Sequence, residues 1–464
     1  MERVVIVGGG VGGLSAALAF GRQGHEVTLL ERDPLPPTAS AEDAFASERR
    51  GAPQAHQTHG FLARIAVVLR ERFPDVLDDL FGVGCTVLPL TTNLGEPMPG
   101  DEDLRVLVVR RTTFEWVLRN AALQQDHVNI RTGVGIDGVT MSSPGVVNGV
   151  HLDTGERVEG DFVIASTGRR GDVPGWLGAH GIDVPETIRE SGLMYLTRWY
   201  RLPTGYEVDM AKLGGDLGFV KYLAVPGDGD TLSITLAIRP DDKDLRATLS
   251  HDDNFEAACR ALPGPSQFFE RGGLEPCGGV RPMTGLLNRL RRFTDDAGEP
   301  SVLGFHAIGD AHTCTNPLYG RGCSLAMVQA VLLADATAAH PHDARQRAIA
   351  YETACKREVE PWYDVSVESD KAGSDPAGFA IGSEGGDPGR MKGLAALFIA
   401  AQNDPILGRG MARFWNLLAT PAEMFGDGEL LTRMAEVMAN PDAYPIPPRE
   451  GPTREQLLNT LEAV

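Results

Sequence analysis

"RVVIVGGGVGGLSAALAFGRQGHEVTLLER", Arg3–Arg32, carries a whole structural unit in one short stretch. Val4–Val7 are apolar and mostly β-branched, which predicts a buried strand. Gly8, Gly10 and Gly13 follow as GxGxxG at a strand-to-helix turn, and Leu14, Ala17 and Leu18 mark one face of the helix after it. Val27–Leu30 form a second strand that ends at Glu31. The glycines have separate tasks: a tight turn, close approach to a pyrophosphate, and close helix-to-strand packing. The helix N-terminus favours phosphate charge, and Glu31 lies near the spacing expected of a carboxylate that holds ribose hydroxyls. A second GxGxxG, "GVGIDG" at Gly133–Gly138, is followed by no helical pattern. Strand-like segments surround it ("VNIRTG", "VVNGVHLD", "FVIAS"), so its glycines read as turns between antiparallel strands.

The chain has 464 residues, 42% of them hydrophobic, enough for two or three domains with substantial cores. No run approaches the roughly 20 apolar residues that cross a bilayer, and "GLAALFIAA" is too short. The N-terminus lacks the charge and apolar block of a signal peptide, so a cytoplasmic location is expected. Six scattered cysteines without a CxxC pair predict reduced core thiols, neither a zinc site nor a disulfide framework. A formal net charge of −20 argues against nucleic acid as a partner. Lysine is scarce, and the first is Lys212.

Three later segments separate FAD from NAD. "LVVRRTTFEWVLRNAA" (Leu107–Ala122) places Arg111 just before a helix with Phe114, Val117, Leu118, Ala121 and Ala122 on one face. "GDFVIASTGRRGDVPGWL" (Gly160–Leu177) is an apolar strand running into a glycine-rich turn. In "GDAHTCTNPLYGRGCSLAMVQA" (Gly309–Ala330) an acid closes a strand and Gly-Arg-Gly opens an apolar helix.

With these motifs the sequence resembles the flavoprotein monooxygenases of the para-hydroxybenzoate hydroxylase type. More narrowly, it is similar to bacterial FAD-dependent epoxidases and monooxygenases of natural-product pathways, related to squalene epoxidase. Those carry an Arg-Gly-x-Pro-Gln…His segment, here "RGAPQAHQTH" from Arg50 to His59. They also carry a Gly-Arg…Pro-x-Trp-Leu turn, here Gly168, Arg169, Pro174, Trp176 and Leu177. The match covers roughly the first 340 residues. The resemblance implies an α/β fold: a Rossmann-like FAD-binding domain with an inserted antiparallel-sheet substrate domain and a helical C-terminal region. It assigns Gly8, Gly10, Gly13 and Glu31 to the ADP half, and Arg111 to the ribityl–pyrophosphate region. Arg32, Arg50 and Gly168 are assigned to the cofactor as well, and Asp310 to a ribityl hydroxyl. Pro317, Gly320, Arg321 and Gly322 should line the flavin ring. Arg321 and the helix behind it would favour negative charge on the reduced ring. The related motif Ala-Asp-Gly-x-x-Ser is altered here to Ser166, Thr167 and Gly168, with Gly171 in the serine's place. NAD(P)H or a partner flavin reductase is therefore left open as the electron source.

The expected organisation is an FAD-binding domain over 1–181 and 280–338, a substrate sheet over 182–279, and helices over 339–464. Short alternating strands fill the middle part, where Tyr195, Trp199, Phe219 and Tyr222 are candidate pocket residues, most of them expected to be core. The C-terminal helices would cap the pocket or form a homodimer face, and membrane contact is disfavoured by the few basic residues. "KAGSDPAGFAIGSEGGDPGR" reads as a lid or a disordered loop. His59 is the candidate acid–base residue beside Arg321. For His56, His59 and His312 a structural role is weighed as the commoner alternative. The implied function is hydroxylation or epoxidation of a largely apolar small molecule of secondary metabolism with O₂, by way of C4a-hydroperoxyflavin. The alternative is a flavin-dependent reductase of the prenyl reductase type. A flavin halogenase fits less well, because the chain has no early lysine and no Trp-x-Trp.

Overall fold

A computed structural model describes the chain apart from residues 36–37, 207, 209–212, 374–387, 446–449 and 463–464. The opening stretch forms strand β1 (Arg3–Val7), helix α1 (Val11–Arg22) and strand β2 (Glu26–Glu31). β1 and β2 run parallel, with Val4 beside Val27 and Val7 beside Leu30. A Cβ on Gly13 would stand 1.8 Å from the Gly8 carbonyl oxygen, so α1 can pack this closely on β1 only with glycine there. Gly8 turns the chain at φ +107.

Five parallel strands make the central sheet, in the order Phe305–Ala307, Phe162–Ala165, β1, β2, Val128–Thr132. Both faces of β1 are covered, which is why Val4–Val7 read as an unbroken apolar run. The strands around the second GxGxxG are therefore not all antiparallel, as the sequence had suggested. Val128–Thr132 and Phe162–Ala165 belong to the parallel sheet, whereas Ile136–Ser143, Val146–Leu152 and Arg157–Glu159 form a three-stranded antiparallel sheet beside the motif. Apolar content marks a strand but does not encode its partner. Helix Arg111–Leu123, which precedes Val128–Thr132, packs against α1.

The second sheet is antiparallel and six-stranded, centred on Met194–Arg201 and Thr231–Ile238. Its alternation sorts two faces. Leu196, Tyr200, Ile234 and Leu236 enter a core closed by helices Lys243–Leu249, Asp252–Ala261 and Pro263–Glu270. Tyr195, Thr197, Thr235 and Ala237 point the other way, toward the parallel-sheet domain. Those three helices were not foreseen in a region read as strands; each is short, and Asp242 caps the first by accepting from the Leu245 N–H.

Past Ala339 the chain is helical, and helices Ala344–Glu358, Pro361–Gly373 and Pro405–Trp415 join the core around α1 through Tyr351, Trp362 and Phe414. The last helix, Arg454–Glu462, packs elsewhere: Leu457 and Leu461 enter the core beneath the antiparallel sheet. Helix Arg321–Ala339 is long and apolar enough by composition to span a membrane, but 67% of its most apolar window is buried inside the molecule. It is a core helix packed on α1. The glycine- and aspartate-rich stretch expected to be a lid lies largely outside the described residues.

Candidate active site

One cavity of about 650 Å³ runs from the N-terminus of α1 to the antiparallel sheet. It brings together Gly8, Gly10, Glu31, Arg32, His59, Arg111, Gly168, Asp310, Pro317, Gly320 and Gly322. Gly13 stays behind α1, in its packing role.

At the dinucleotide end, Gly10 caps α1 with no side-chain hydrogen bond, and no acidic residue stands in the first turn. The free N–H groups of that turn suit a pyrophosphate. Glu31 is buried and already engaged. Its Oε2 accepts from the Gly9 N–H at 2.7 Å and from Arg49 at 3.0 Å, and its Oε1 accepts from the Asp33 N–H at 2.8 Å. A carboxylate has about four acceptor sites, so capacity remains for a ribose hydroxyl.

The arginine that meets this carboxylate is Arg49. Arg50, the expected cofactor ligand, is exposed and does not line the cavity. Arg49 also donates to Glu115 at 2.5 Å, and Asp33 holds the turn by accepting from the Gly51 N–H at 2.9 Å. Glu115 is one helical turn beyond Arg111 and accepts from its Nε at 2.9 Å. Burial pushes the Glu115 carboxyl up, but the guanidinium groups of Arg111 and Arg49 outweigh it and hold it below the usual range. Arg111 reaches toward Gly10: a Cβ there would lie 3.9 Å from its Nη2.

His59 is committed to Arg111. Its Nδ1 lies 2.9 Å from the Gln57 carbonyl and its Nε2 3.1 Å from Arg111 Nη1. A carbonyl and a guanidinium require Nδ1–H as donor and bare Nε2 as acceptor. Burial, followed by the charge of Arg111, pushes its pKa down to about 3. The ring is neutral, with its Nδ1 proton held by the Gln57 carbonyl and its Nε2 lone pair by Arg111, so His59 orients Arg111, contrary to the expected acid–base role. His56 lies at Ser47 O (3.1 Å), and His312 is buried between Thr313 and Glu352. Both are built into the fold.

Asp310 sits on a short 3-10 turn that is tied down through its backbone. The Gly309 N–H donates to Gln329 at 2.7 Å, and the Asp310 carbonyl accepts from Arg289 at 3.0 Å. The carboxylate lines the cavity beside the Cys314 thiol, which hydrogen-bonds to it, and burial raises its pKa. Gly320 is left-handed (φ +66), and a Cβ there would come within 3.2 Å of the Gly60 carbonyl oxygen. Within the protein, the close neighbour of Gly320 is this loop.

Arg321 turns away from the cavity. It is fully buried, with its guanidinium 4.7 Å from the Tyr319 ring centroid, 5.3 Å from Trp362 and 5.4 Å from Trp415. Nη1 donates to Ser366 at 2.6 Å, and burial pushes its pKa down to about 10. This cation fastens the C-terminal helices to the fold. At the cavity, positive potential comes instead from the N-terminus of helix Arg321–Ala339, whose first turn has no acid. The altered Ser-Thr-Gly turn also has a steric reason: a Cβ on Gly171 would lie 1.8 Å from Thr167 Oγ1, which leaves no room for a serine.

The far end of the cavity is apolar. Leu223, Ala237, Met283 and Leu287 line it, with Tyr195, Lys221 and Thr235 among them. Of the aromatics singled out in the sequence, Tyr195 and Tyr222 line the cavity, whereas Trp199 is buried with its Nε1–H on His56 O and Phe219 packs into the core beneath the sheet.

Comparison with known proteins agrees with this geometry. Residues 3–82 match the family model of FAD dependent oxidoreductases. That stretch, which holds the β1–α1–β2 unit, is similar to the FAD dependent oxidoreductases. FAD is the chain's cofactor, and the open N-terminus of α1, the spare acceptor site of Glu31 and the cavity-facing Asp310 side chain suit the parts of that molecule. Among characterised relatives, the tryptophan 2-halogenase of Chondromyces crocatus is 24% identical over 356 residues, 72% of this chain and 60% of that protein. The FAD-dependent monooxygenase ntnJ of Nectria sp is 29% identical over 166 residues, 36% of each chain. The chain thus spans 60% or less of the length of these relatives. In fold, it matches the flavin-dependent brominase Bmp2 with TM-score 0.64 at 17% identity, covering 95% of this chain and 98% of that one. PqsL of Pseudomonas aeruginosa, described as a probable FAD-dependent monooxygenase, matches with TM-score 0.60 at 16% identity, covering 81% and 97%.

Proposed function

We propose that this protein is an FAD-dependent monooxygenase that places one oxygen atom on a largely apolar small molecule. The observation that carries this reading is the continuity of the cavity, which joins the dinucleotide turn to an apolar chamber on the antiparallel sheet. Bound FAD supplies the activation of O₂. The chain binds the cofactor through α1 and Asp310, holds Arg111 by Glu115 and His59, and offers the substrate a wall of Leu223, Ala237 and Met283 that excludes water. No protein acid–base group is required when the cofactor carries the difficult chemistry. The named relatives support oxygenation or halogenation; none is a reductase, so the prenyl reductase alternative gains no support. NAD(P)H or a separate reductase remains the proposed electron source, and the six unpaired cysteines fit a reducing, cytoplasmic setting.

The test supplies reduced flavin, ¹⁸O₂ and a panel of apolar aromatic probes, with and without bromide. One ¹⁸O in the product and the other in water supports oxygenation. A brominated product that requires bromide would replace it with halogenation, a reading the halogenase relative favours. Product formed without O₂ would overturn both.

A further inference from the structure

Two hydrogen-bond networks end at the chamber, and elementary valence fixes the direction of each. The first begins at the Arg281 carbonyl, which can only accept. Gln57 lies 3.1 Å from it and must donate with Nε2, so Gln57 Oε1 faces Thr197 as an acceptor at 2.6 Å. Thr197 therefore spends its one proton on Gln57. Thr235, 2.6 Å away, must then donate to Thr197, and Thr58, 2.7 Å further on, must donate to Thr235. Thr58 and Thr235 line the cavity, whereas Thr197 is fully buried behind them. The chain of hydroxyls ends at the cavity with lone pairs and no proton to give.

The second network has the same polarity. Asn316 Oδ1 accepts from the Leu318 N–H at 3.1 Å, which fixes its amide, so the Tyr195 hydroxyl 2.8 Å from the same oxygen is a donor to it. Asn316 Nδ2 in turn donates to Asp370 at 2.7 Å. Tyr195 also faces the cavity with its proton turned inward. Lys221, the ammonium in this chamber, is paired with Asp216.

We propose that the chamber selects its substrate by a hydrogen-bond donor, an aromatic O–H or N–H received by Thr58 and Tyr195. Because the Thr58 chain ends at an amide and a carbonyl, with no titratable group along it, it holds that proton in place and has nowhere to pass it on. This inference rests on the chamber being the substrate site of the proposed oxygenase, and it adds what the substrate must carry.

The test is equilibrium binding to the oxidised, FAD-loaded protein without reductant, read from the flavin absorbance, so it is independent of turnover. Indole is compared with indene, which puts CH₂ in place of N–H at the same size, and 2-naphthol with 2-methoxynaphthalene. The donor-bearing member of at least one pair is expected to bind about tenfold tighter, the worth of one net hydrogen bond. Which pair responds tells N–H from O–H recognition. Thr197→Val does not touch the ligand but frees the Thr235 proton, so the chain can reverse and Thr58 can donate. The preference should fall to about twofold or less, while Thr197→Ser keeps it. Equal binding within both pairs, no response to any probe, or an undiminished preference in a Thr197→Val protein that still holds FAD would each overturn the proposal. Should Thr197→Val fail to fold, the wild-type comparison decides alone.

Discussion

Asp310 stands at the cavity wall just past the end of strand Phe305–Ala307. Its turn is held through backbone atoms, while its carboxylate faces the cavity. Asp310→Ala should therefore weaken FAD by about 1–2 kcal/mol, roughly tenfold, with the fold intact. A titration of apoprotein with FAD checks this, and unchanged affinity would remove Asp310 from the site. Arg321 is expected to behave in the opposite manner. Its loss empties a buried space between Tyr319, Trp362 and Trp415 and should cost about 2–4 kcal/mol of stability, read as a lower Tm. The flavin midpoint potential should stay within about 10 mV, since even 1.4 kcal/mol of lost stabilisation of the reduced form would move it about 30 mV. A shift of that size in Arg321→Ala would return the residue to the ring. The two residues differ in how legible they were. The Asp310 orientation follows from a strand end and a tight turn, both local. The direction of Arg321 is decided by Trp362 and Trp415, on helices tens of residues later, and nothing between two glycines announces that. Arg49 and Arg50 show the same limit over one peptide bond: adjacent arginines in an irregular loop carry no periodicity to say which one turns inward.

Among the elements, strand Phe305–Ala307 carries the clearest pH signature. His306 is almost fully buried between Phe162 and Tyr351, and burial, then the charge of Arg347, pushes its pKa down to about 3. In the unfolded chain the ring titrates near 6.5. Between those values the unfolded state binds the extra proton, so stability falls as the pH drops from about 6.5 toward 3, by up to ~1.4 kcal/mol per pH unit for this group, and is level above it. His306→Leu should flatten the stability curve by up to that slope in chemical denaturation from pH 4.5 to 6.5. An unchanged slope would mean that the histidine is solvated in the native protein. Elements as such were read well where a pattern was long or closed by glycine. The β1–α1–β2 unit, helix Arg111–Leu123 and the helix after Gly320 all stand where their apolar spacing put them. Helices Lys243–Leu249, Asp252–Ala261 and Pro263–Glu270 did not show, because each is too short for a convincing 3.6-residue period. Strand partners did not show either, since pairing depends on topology.

At the scale of the whole molecule, the chain builds a parallel-sheet domain for a dinucleotide and an antiparallel sheet whose free face closes the other end of the same cavity. The sequence supplied the two sheets and the cofactor end of the site. It could not supply the substrate end, because Gln57, Thr197 and Thr235 meet across well over a hundred residues of chain, and threonines on a strand have no signature of their own. The last helix returns to the core beneath the antiparallel sheet from a region otherwise packed on the parallel-sheet side, which ties the two halves together. The proposed oxygenation requires the flavin ring to stand where the two halves meet. A crystal structure of the FAD-loaded protein tests this most directly. It should show the dinucleotide on α1 and the ring between the Pro317–Gly322 turn and the chamber lined by Thr58, Tyr195 and Thr235. A ring held outside that junction, with the chamber closed off from it by protein, would contradict the account.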